Sequence, residues 1–208
     1  MKESKGRGNR RDSDAVRTFI CIEIPEAIKE RIDELQRDLH GLDARISWVK
    51  PENIHLTLKF LGDVPQSRIE SVKRAAERAA SSCSPFEIEA GGAGCFPSPR
   101  NPRVLWVGLS HLPDELKRLH AKIEDELARE GFPREQKKFS PHLTIGRIRS
   151  PQNASLVAEK LIAGGFEPAR FQADEIIVMR SDLSPAGSIY TLQAVVKLGH
   201  HNTHAEDE

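Results

Sequence analysis

Cysteine is scarce in this sequence. The 208 residues include three cysteines, Cys21, Cys83 and Cys95, and no two of them form a C-x-x-C pair. An odd, widely spaced set argues against both a disulfide framework and a zinc knuckle. We therefore expect a protein of the reducing cytoplasm.

An excess of charge is also missing. Lys and Arg total 31, and Asp and Glu total 31, so the formal net charge is zero. Proteins that bind long duplexes usually present a basic face, so any contact with nucleic acid is expected to be local. The opening residues are polar and basic and no apolar run follows them, so we expect neither a secretory signal nor a membrane span.

What the sequence does have is the composition of a soluble globular domain. Hydrophobic residues make up 38% of the chain and charged residues 30%, which is enough to form one core of ordinary size. Polar stretches without periodicity predict disordered tails over residues 1–16 and 199–208. The remaining residues, 17–198, are expected to form a single domain, and we expect a monomer.

Strand and helix patterns alternate along this domain. Helical periodicity follows Pro25 up to Gly41 and recurs over residues 67–80, 112–131 and 152–163. Strand patterns occupy residues 17–24, 46–49, 54–61, 103–109, 142–148, 171–180 and 189–198. The spacings favour antiparallel pairing, with helices on the outer faces, over a doubly wound sheet. We predict an α+β fold of two lobes related by a pseudo-twofold axis, in which two antiparallel sheets with outer helices surround a central cleft.

A short motif, H-x-T-x with x aliphatic, occurs once in each half of the chain. The motif residues are His55 and Thr57 in the first copy and His142 and Thr144 in the second. Because side chains alternate along a strand, the histidine and threonine of each copy share one face, and the aliphatic residues share the other. A single strand histidine is usually an ordinary core residue, but two copies in corresponding positions favour a function.

Two imidazoles across a cleft are suited to general acid and base catalysis near neutral pH. In phosphodiester hydrolysis, one neutral histidine deprotonates water and the other, protonated, supplies a proton to the leaving oxygen. The hydroxyls of Thr57 and Thr144 are placed to donate hydrogen bonds to the phosphate oxygens. Neither motif has a Cys, Asp or Glu at ligand spacing, so no metal site is expected. The reference pKa of imidazole, about 6.5, predicts a pH optimum near neutrality unless the cleft shifts the pKa values of the pair strongly.

Three further residues are candidates for substrate binding. Alternation places Lys59 on the face of His55, whereas Arg147 would point away from the face of His142 unless Gly146 marks a bulge. Phe96 follows the glycine-rich stretch 91–94 and precedes Pro97, so it is expected on a constrained loop. It could stack on a base or fill the core between the lobes, and the sequence favours neither role.

Five segments of the chain together resemble the two-histidine phosphoesterase superfamily, and within it the RNA 2′,3′-cyclic phosphodiesterase branch, also called the 2′-5′ RNA ligase family. They are residues 19–25, 48–62, 94–109, 140–147 and 179–192. The resemblance implies a bilobal fold, no cofactor, and hydrolysis of 2′,3′-cyclic phosphate at RNA ends, such as those of tRNA fragments, to a 2′-phosphomonoester. It also implies that His55 is the proton donor, that His142 is the proton acceptor, and that the reverse reaction can form 2′-5′ linkages.

Three other functions were weighed against the same residues. A related enzyme could act on a small cyclic nucleotide or on 2′-5′-linked oligonucleotides, and a basic groove leading from the cleft would instead favour an RNA strand. A non-catalytic module that binds RNA ends would not need two acid-base groups. A zinc hydrolase would lack ligands beside the two histidines.

Overall fold

The structure is a computed structural model that describes residues 14–184 and 187–199. Within this part of the chain, the helices are α1 (Glu26–His40), α2 (Ile69–Ser81), α3 (Asp114–Arg129) and α4 (Ala154–Gly164). The strands are β1 (Ala15–Glu23), β2 (Ile46–Trp48), β3 (His55–Pro65), β4 (Phe86–Phe96), β5 (Val104–Leu109), β6 (Leu143–Ile148), β7 (Ala169–Ala173), β8 (Glu175–Ser184) and β9 (Gly187–Lys197).

The strands are antiparallel throughout and follow the order β7-β4-β5-β6-β3-β1-β8-β9, with β2 against β6. The order divides at its centre into two lobes of four strands, β7 to β6 and β3 to β9. The predicted α+β class is confirmed. The two predicted sheets are joined, however, because Leu56 of β3 pairs with Leu143 of β6. These two leucines occupy the same position in the two copies of the motif.

Each half of the chain contributes to the lobe of the other half: the first half supplies β4, and the short β2 beside β6, and the second half supplies β8 and β9. Strand β4, from the first half, pairs with β5 and β7. Strand β8, from the second half, pairs with β1 and β9. The lobes are therefore built from an exchange of strands.

The apolar faces of the helices cover one face of the sheet. In α1, Ile28, Ile32 and Leu39 recur at helical spacing and are buried. The same spacing in α3 buries Leu116, Leu119, Ile123 and Leu127. Such stripes exclude water from one side of each helix and place the core between helices and sheet. In the described part of the chain, no helix has the length and hydropathy of a membrane span.

The domain extends slightly beyond its predicted ends. Strand β1 begins at Ala15, and Val16 is buried and pairs with Val64, so these residues do not belong to a tail. At the other end, the Gly199 N–H donates a hydrogen bond to the Ala80 carbonyl at 3.1 Å. The rest of the two predicted tails, residues 1–13 and 200–208, lies outside the described residues.

Candidate active site

The two motifs meet where the lobes join. His55 is the first residue of β3, and His142 directly precedes β6. The residue after each histidine, Leu56 or Leu143, forms the pair that joins the two strands, and both leucines are fully buried. The motif leucines thus anchor the core at the centre of the sheet, while both histidines remain partly exposed.

Both imidazoles are held by the same backbone contact. His55 Nδ1 lies 2.9 Å from the carbonyl oxygen of Asn53, and His142 Nδ1 lies 2.8 Å from that of Ser140. A carbonyl oxygen can only accept a hydrogen bond, so Nδ1 must carry a hydrogen in each ring. The nitrogen left to exchange a proton with a substrate is therefore Nε2 in both histidines. A fixed tautomer of this kind is a common feature of acid-base histidines.

Aromatic rings surround each histidine. The Phe19 ring stacks on His55 with centroids 4.7 Å apart, and Tyr190 meets His55 edge-on at 5.3 Å. On the other side, Phe96 meets His142 edge-on at 5.0 Å, and the Trp106 ring lies 6.5 Å from it. The rings restrict the orientation of each imidazole and reduce its contact with water.

This burial lowers the pKa of both histidines. Desolvation is the main cause at His55, where the pKa falls from 6.5 to about 4. The hydrogen bond to Asn53 raises this pKa, and the nearby positive charge of Lys29 lowers it. At His142, desolvation again lowers the pKa, and the charge of Arg147 acts in the same direction. The lowered pKa values favour the neutral form of both rings at pH 7 in the free protein.

A cleft of about 400 Å³ brings together His55, Thr57, Thr144 and Arg147. His142 is not among the described residues that line it, although it lies two residues before Thr144. Neither threonine hydroxyl has a hydrogen-bond partner among the described residues, so both can donate to a bound ligand. Among the described residues, no carboxylate side chain lines the cleft. A neutral or negatively charged group is accepted there without electrostatic repulsion.

Lys59 does not reach this cleft, and its prediction as a substrate contact was wrong. Its side chain is buried, at 6% exposure, on the helix side of the sheet, where Nζ lies 2.8 Å from a carboxylate oxygen of Glu124 and 3.0 Å from the Pro133 carbonyl. The cause is a bulge: Cys21 pairs with Thr57 but Ile20 pairs with Lys59, so Leu58 has no partner on β1. The extra residue reverses the alternation beyond Thr57.

Arg147 reaches the cleft through an equivalent bulge in the second motif. Trp106 pairs with Thr144, and Leu105 pairs with Gly146, which leaves Ile145 without a partner on β5. The Ile145 carbonyl instead accepts hydrogen bonds from Val49 N at 3.0 Å and from the buried Gln36 Nε2 at 2.8 Å. A bulge is therefore present next to Gly146, and it turns Arg147 toward the cleft.

Phe96 is the last residue of β4 rather than part of a loop. One glycine before it, Gly94, is needed in this strand because a Cβ atom there would overlap the Trp106 ring. Sequence reasoning missed three other residues at the site: Phe19, Tyr190, and Trp48, which lines the cleft. A signal was available for one of them, since Phe19 and Trp106 precede their histidines by the same number of residues.

Two other features bear on the choice of site. Within residues 14–184 and 187–199, no three His, Cys, Asp or Glu side chains come together in a group that could hold a metal ion. A wider depression of about 1020 Å³ lies between the end of α2 and the start of α3. It contains none of the motif residues, so the cleft between the lobes is the stronger candidate.

Comparison with known proteins agrees with this geometry. The family described as LigT like Phosphoesterase matches residues 22–106 and again 107–190, which are the two halves that carry one motif each. A Methanothermobacter thermautotrophicus protein named RNA 2′,3′-cyclic phosphodiesterase is 35% identical over 88% of this chain and 99% of its own. A Thermotoga maritima protein of the same name is 35% identical over 84% of this chain and 91% of its own.

A solved structure has the same fold. The crystal structure of E. coli LigT in complex with NADP+ aligns with a TM-score of 0.71 and 26% identity, and covers 90% of this chain and all of the other. Both family matches divide the chain between its two histidine motifs, and the relatives match nearly their whole length. The chain therefore belongs to the LigT-like phosphoesterase family.

Proposed function

We propose that this protein is an RNA 2′,3′-cyclic phosphodiesterase, a phosphoric diester hydrolase that opens terminal cyclic phosphates to 2′-phosphomonoesters without a metal ion. The observation that carries the proposal is the matched pair of histidines, each with Nδ1 bound to a backbone carbonyl and Nε2 left for proton transfer. Relatives at 35% identity bear the name of this activity. A binding module would have no use for two such groups.

The reaction needs one proton removed and one supplied. His142 Nε2 accepts a proton from water as the water oxygen bonds to phosphorus. The bond from phosphorus to the 3′ oxygen breaks, and His55 supplies the proton that this oxygen takes up. His55 must carry a second hydrogen, on Nε2, for this step, and the attraction of the bound phosphate anion favours that charged form. The product carries a 2′-phosphomonoester and a 3′-hydroxyl, and solvent returns the proton from His142 to His55. A 5′-hydroxyl in place of water would give a 2′-5′ linkage by the same route.

The remaining cleft residues stabilise negative charge on the phosphate. The hydroxyls of Thr57 and Thr144 donate to the two non-bridging oxygens, where charge increases in the transition state. The Arg147 guanidinium adds a positive charge that does not depend on pH. Phe96 and Tyr190 then border the nucleoside, because each already contacts a catalytic ring.

The proposed substrate, an RNA end, is found inside cells. We propose a monomer that acts in the cytoplasm on RNA ends with 2′,3′-cyclic phosphate, tRNA fragments among them. Such ends arise when RNA is cleaved by attack of its own 2′-hydroxyl.

The direct test is an assay of purified protein with an oligonucleotide that ends in a 2′,3′-cyclic phosphate, followed by mapping of the product end. We expect a 2′-phosphate and undiminished turnover in excess chelator. A 3′-phosphate product would contradict the assigned leaving group. Loss of activity on chelation, restored by added zinc, would contradict the metal-independent route.

The lowered pKa values predict a difference between two pH profiles. In the free enzyme both histidines titrate below 6.5, so the bell-shaped profile of kcat/KM should have its maximum below that pH. A bound phosphate anion raises the pKa of both rings by attraction, so kcat should peak at a higher pH. The sequence-based optimum near neutrality therefore does not apply to kcat/KM.

Steady-state rates over a series of buffers at constant ionic strength would measure both profiles. Superimposable kcat and kcat/KM profiles would mean that the bound phosphate does not change the protonation of the histidines. A single rising limb would indicate that only one base is involved.

A further inference from the structure

A second cavity lies next to the cleft that is lined by His55, Thr57, Thr144 and Arg147. It has a volume of about 240 Å³ and is bordered by Arg100, Arg103, Arg149 and Ser150. Arg149 also borders the active-site cleft, so the two cavities share a wall. Two segments of the second cavity's lining are joined by a backbone hydrogen bond from Ile148 N to the Arg103 carbonyl, at 3.0 Å.

The charge of this second cavity is positive and uncompensated. Among residues 14–184 and 187–199, no carboxylate forms an ion pair with Arg100, Arg103 or Arg149, and the cavity lining contains no Asp or Glu. Some exposed arginines elsewhere, such as Arg118 beside Glu115, do have acidic partners. Three arginines without acidic partners therefore lie together beside the active site, in a chain whose formal net charge is zero.

Two polar side chains indicate that the cavity is arranged for a ligand. The Arg149 side chain is oriented by a hydrogen bond from Nε to Ser47 Oγ, at 2.7 Å. The hydroxyl of Ser150, in the lining, is shielded from water and has no hydrogen-bond partner in the described part of the chain. Buried polar groups without partners are rare in folded proteins and often mark a site that a ligand completes.

Guanidinium groups are the side chains best suited to phosphate, since their donors match two of its oxygens at once. A 2′,3′-cyclic phosphate stands at the 3′ end of an RNA strand. Any second phosphate of the same strand must therefore lie on the 5′ side of the terminal nucleoside. A site for it would have to adjoin the catalytic cleft, as this cavity does.

We propose that Arg100, Arg103 and Arg149 bind the phosphodiester on the 5′ side of the terminal nucleoside, and that the enzyme thereby selects an RNA strand over a free cyclic mononucleotide. This inference rests on the proposed function, because that function defines where the strand ends. It identifies the basic groove that distinguishes an RNA-end enzyme from one that acts on small cyclic nucleotides.

The test compares two substrates that differ by one phosphodiester. They are adenosine 2′,3′-cyclic phosphate and the dinucleotide ApA with a 2′,3′-cyclic phosphate end. The variant is R100Q/R103Q, which removes two exposed charges and leaves the catalytic cleft unaltered. The matched control is R74Q/R118Q, which removes two exposed arginine charges from α2 and α3 on the helix side of the sheet. Circular dichroism and thermal denaturation check the fold of each protein.

We expect the wild-type protein to prefer the dinucleotide, and R100Q/R103Q to lose about 10-fold to 100-fold in kcat/KM on it, with a much smaller loss on the mononucleotide. The fall of kcat/KM with salt should also become less steep for this variant on the dinucleotide alone. The control variant should resemble the wild type on both substrates.

Equal losses on both substrates, or a wild-type protein without preference for the dinucleotide, would overturn the second site. If the wild-type protein hydrolysed neither of the two substrates, the proposed function would be overturned instead. In that case, fluorescence anisotropy with labelled ApA bearing a 3′-phosphate still tests the second site, which requires weaker binding to R100Q/R103Q than to the control.

Discussion

Replacement of His55 or His142 by alanine is expected to lower the rate of cyclic phosphate hydrolysis by roughly 10²–10⁴-fold. Each histidine transfers a different proton, so neither can substitute for the other. Measurement of kcat/KM on a 2′,3′-cyclic phosphate dinucleotide would show the loss. Ligation of the same end to a 5′-hydroxyl should fall together with hydrolysis, because both reactions use the same pair of groups.

Two controls separate catalysis from structure. Asparagine at either position retains an N–H group that can donate to the carbonyl that now accepts from Nδ1, yet it cannot exchange a proton at neutral pH. These variants should be folded and as slow as the alanine variants. His111→Ala, at an exposed histidine away from the cleft, should be fully active. Near-normal turnover by a folded His142→Asn protein would refute the paired acid-base mechanism.

Valine in place of Thr57 or Thr144 should slow hydrolysis by roughly 10²–10³-fold if each hydroxyl is a principal donor to the phosphate. Valine has nearly the shape of threonine and retains the preference for strands, so the loss would come from the missing hydroxyl. Because the hydroxyls act on the charge that develops during the reaction, kcat should fall more than KM rises. Rate measurements on both single variants would show this division.

The matched control is Thr191→Val, at an exposed position of the edge strand β9. It should have wild-type kcat and KM. If both motif variants also retained wild-type kcat, the threonines would have only a structural role in the two strands.

Much of the fold could be predicted because helices and strands have different periods. The stripes of α1 and α3 repeat at helical spacing and are buried as expected. Strand β4 could not be predicted, because its glycines are typical of a loop. One of them, Gly94, is needed there to accommodate the Trp106 ring on the neighbouring strand, and that contact depends on tertiary structure. Likewise, the strand predicted over residues 171–180 is divided at Asp174, where the chain passes from one lobe to the other.

The site shows the same division between local and distant information. His55, Thr57 and Thr144 share a cleft as alternation predicts, since alternation is a property of the strand itself. It fails beyond the threonine of each motif, because bulges are set by the pairing of two strands. The contrasting outcomes for Lys59 and Arg147 have this one cause. Tyr190 joins the site from a hairpin far along the chain, and no local pattern could place it there.

The exchange of β4 and β8 between the lobes has a consequence for how the molecule can assemble and how it could have arisen. Neither half of the chain can complete a four-strand lobe alone, so the halves should fold only as one cooperative unit. A single half with one motif could reproduce this architecture only as a twofold dimer, with β4 of each subunit paired to its partner. Such a dimer would already place two identical imidazoles across a cleft. Duplication and fusion would then free the two copies to diverge, one toward giving a proton and the other toward taking it.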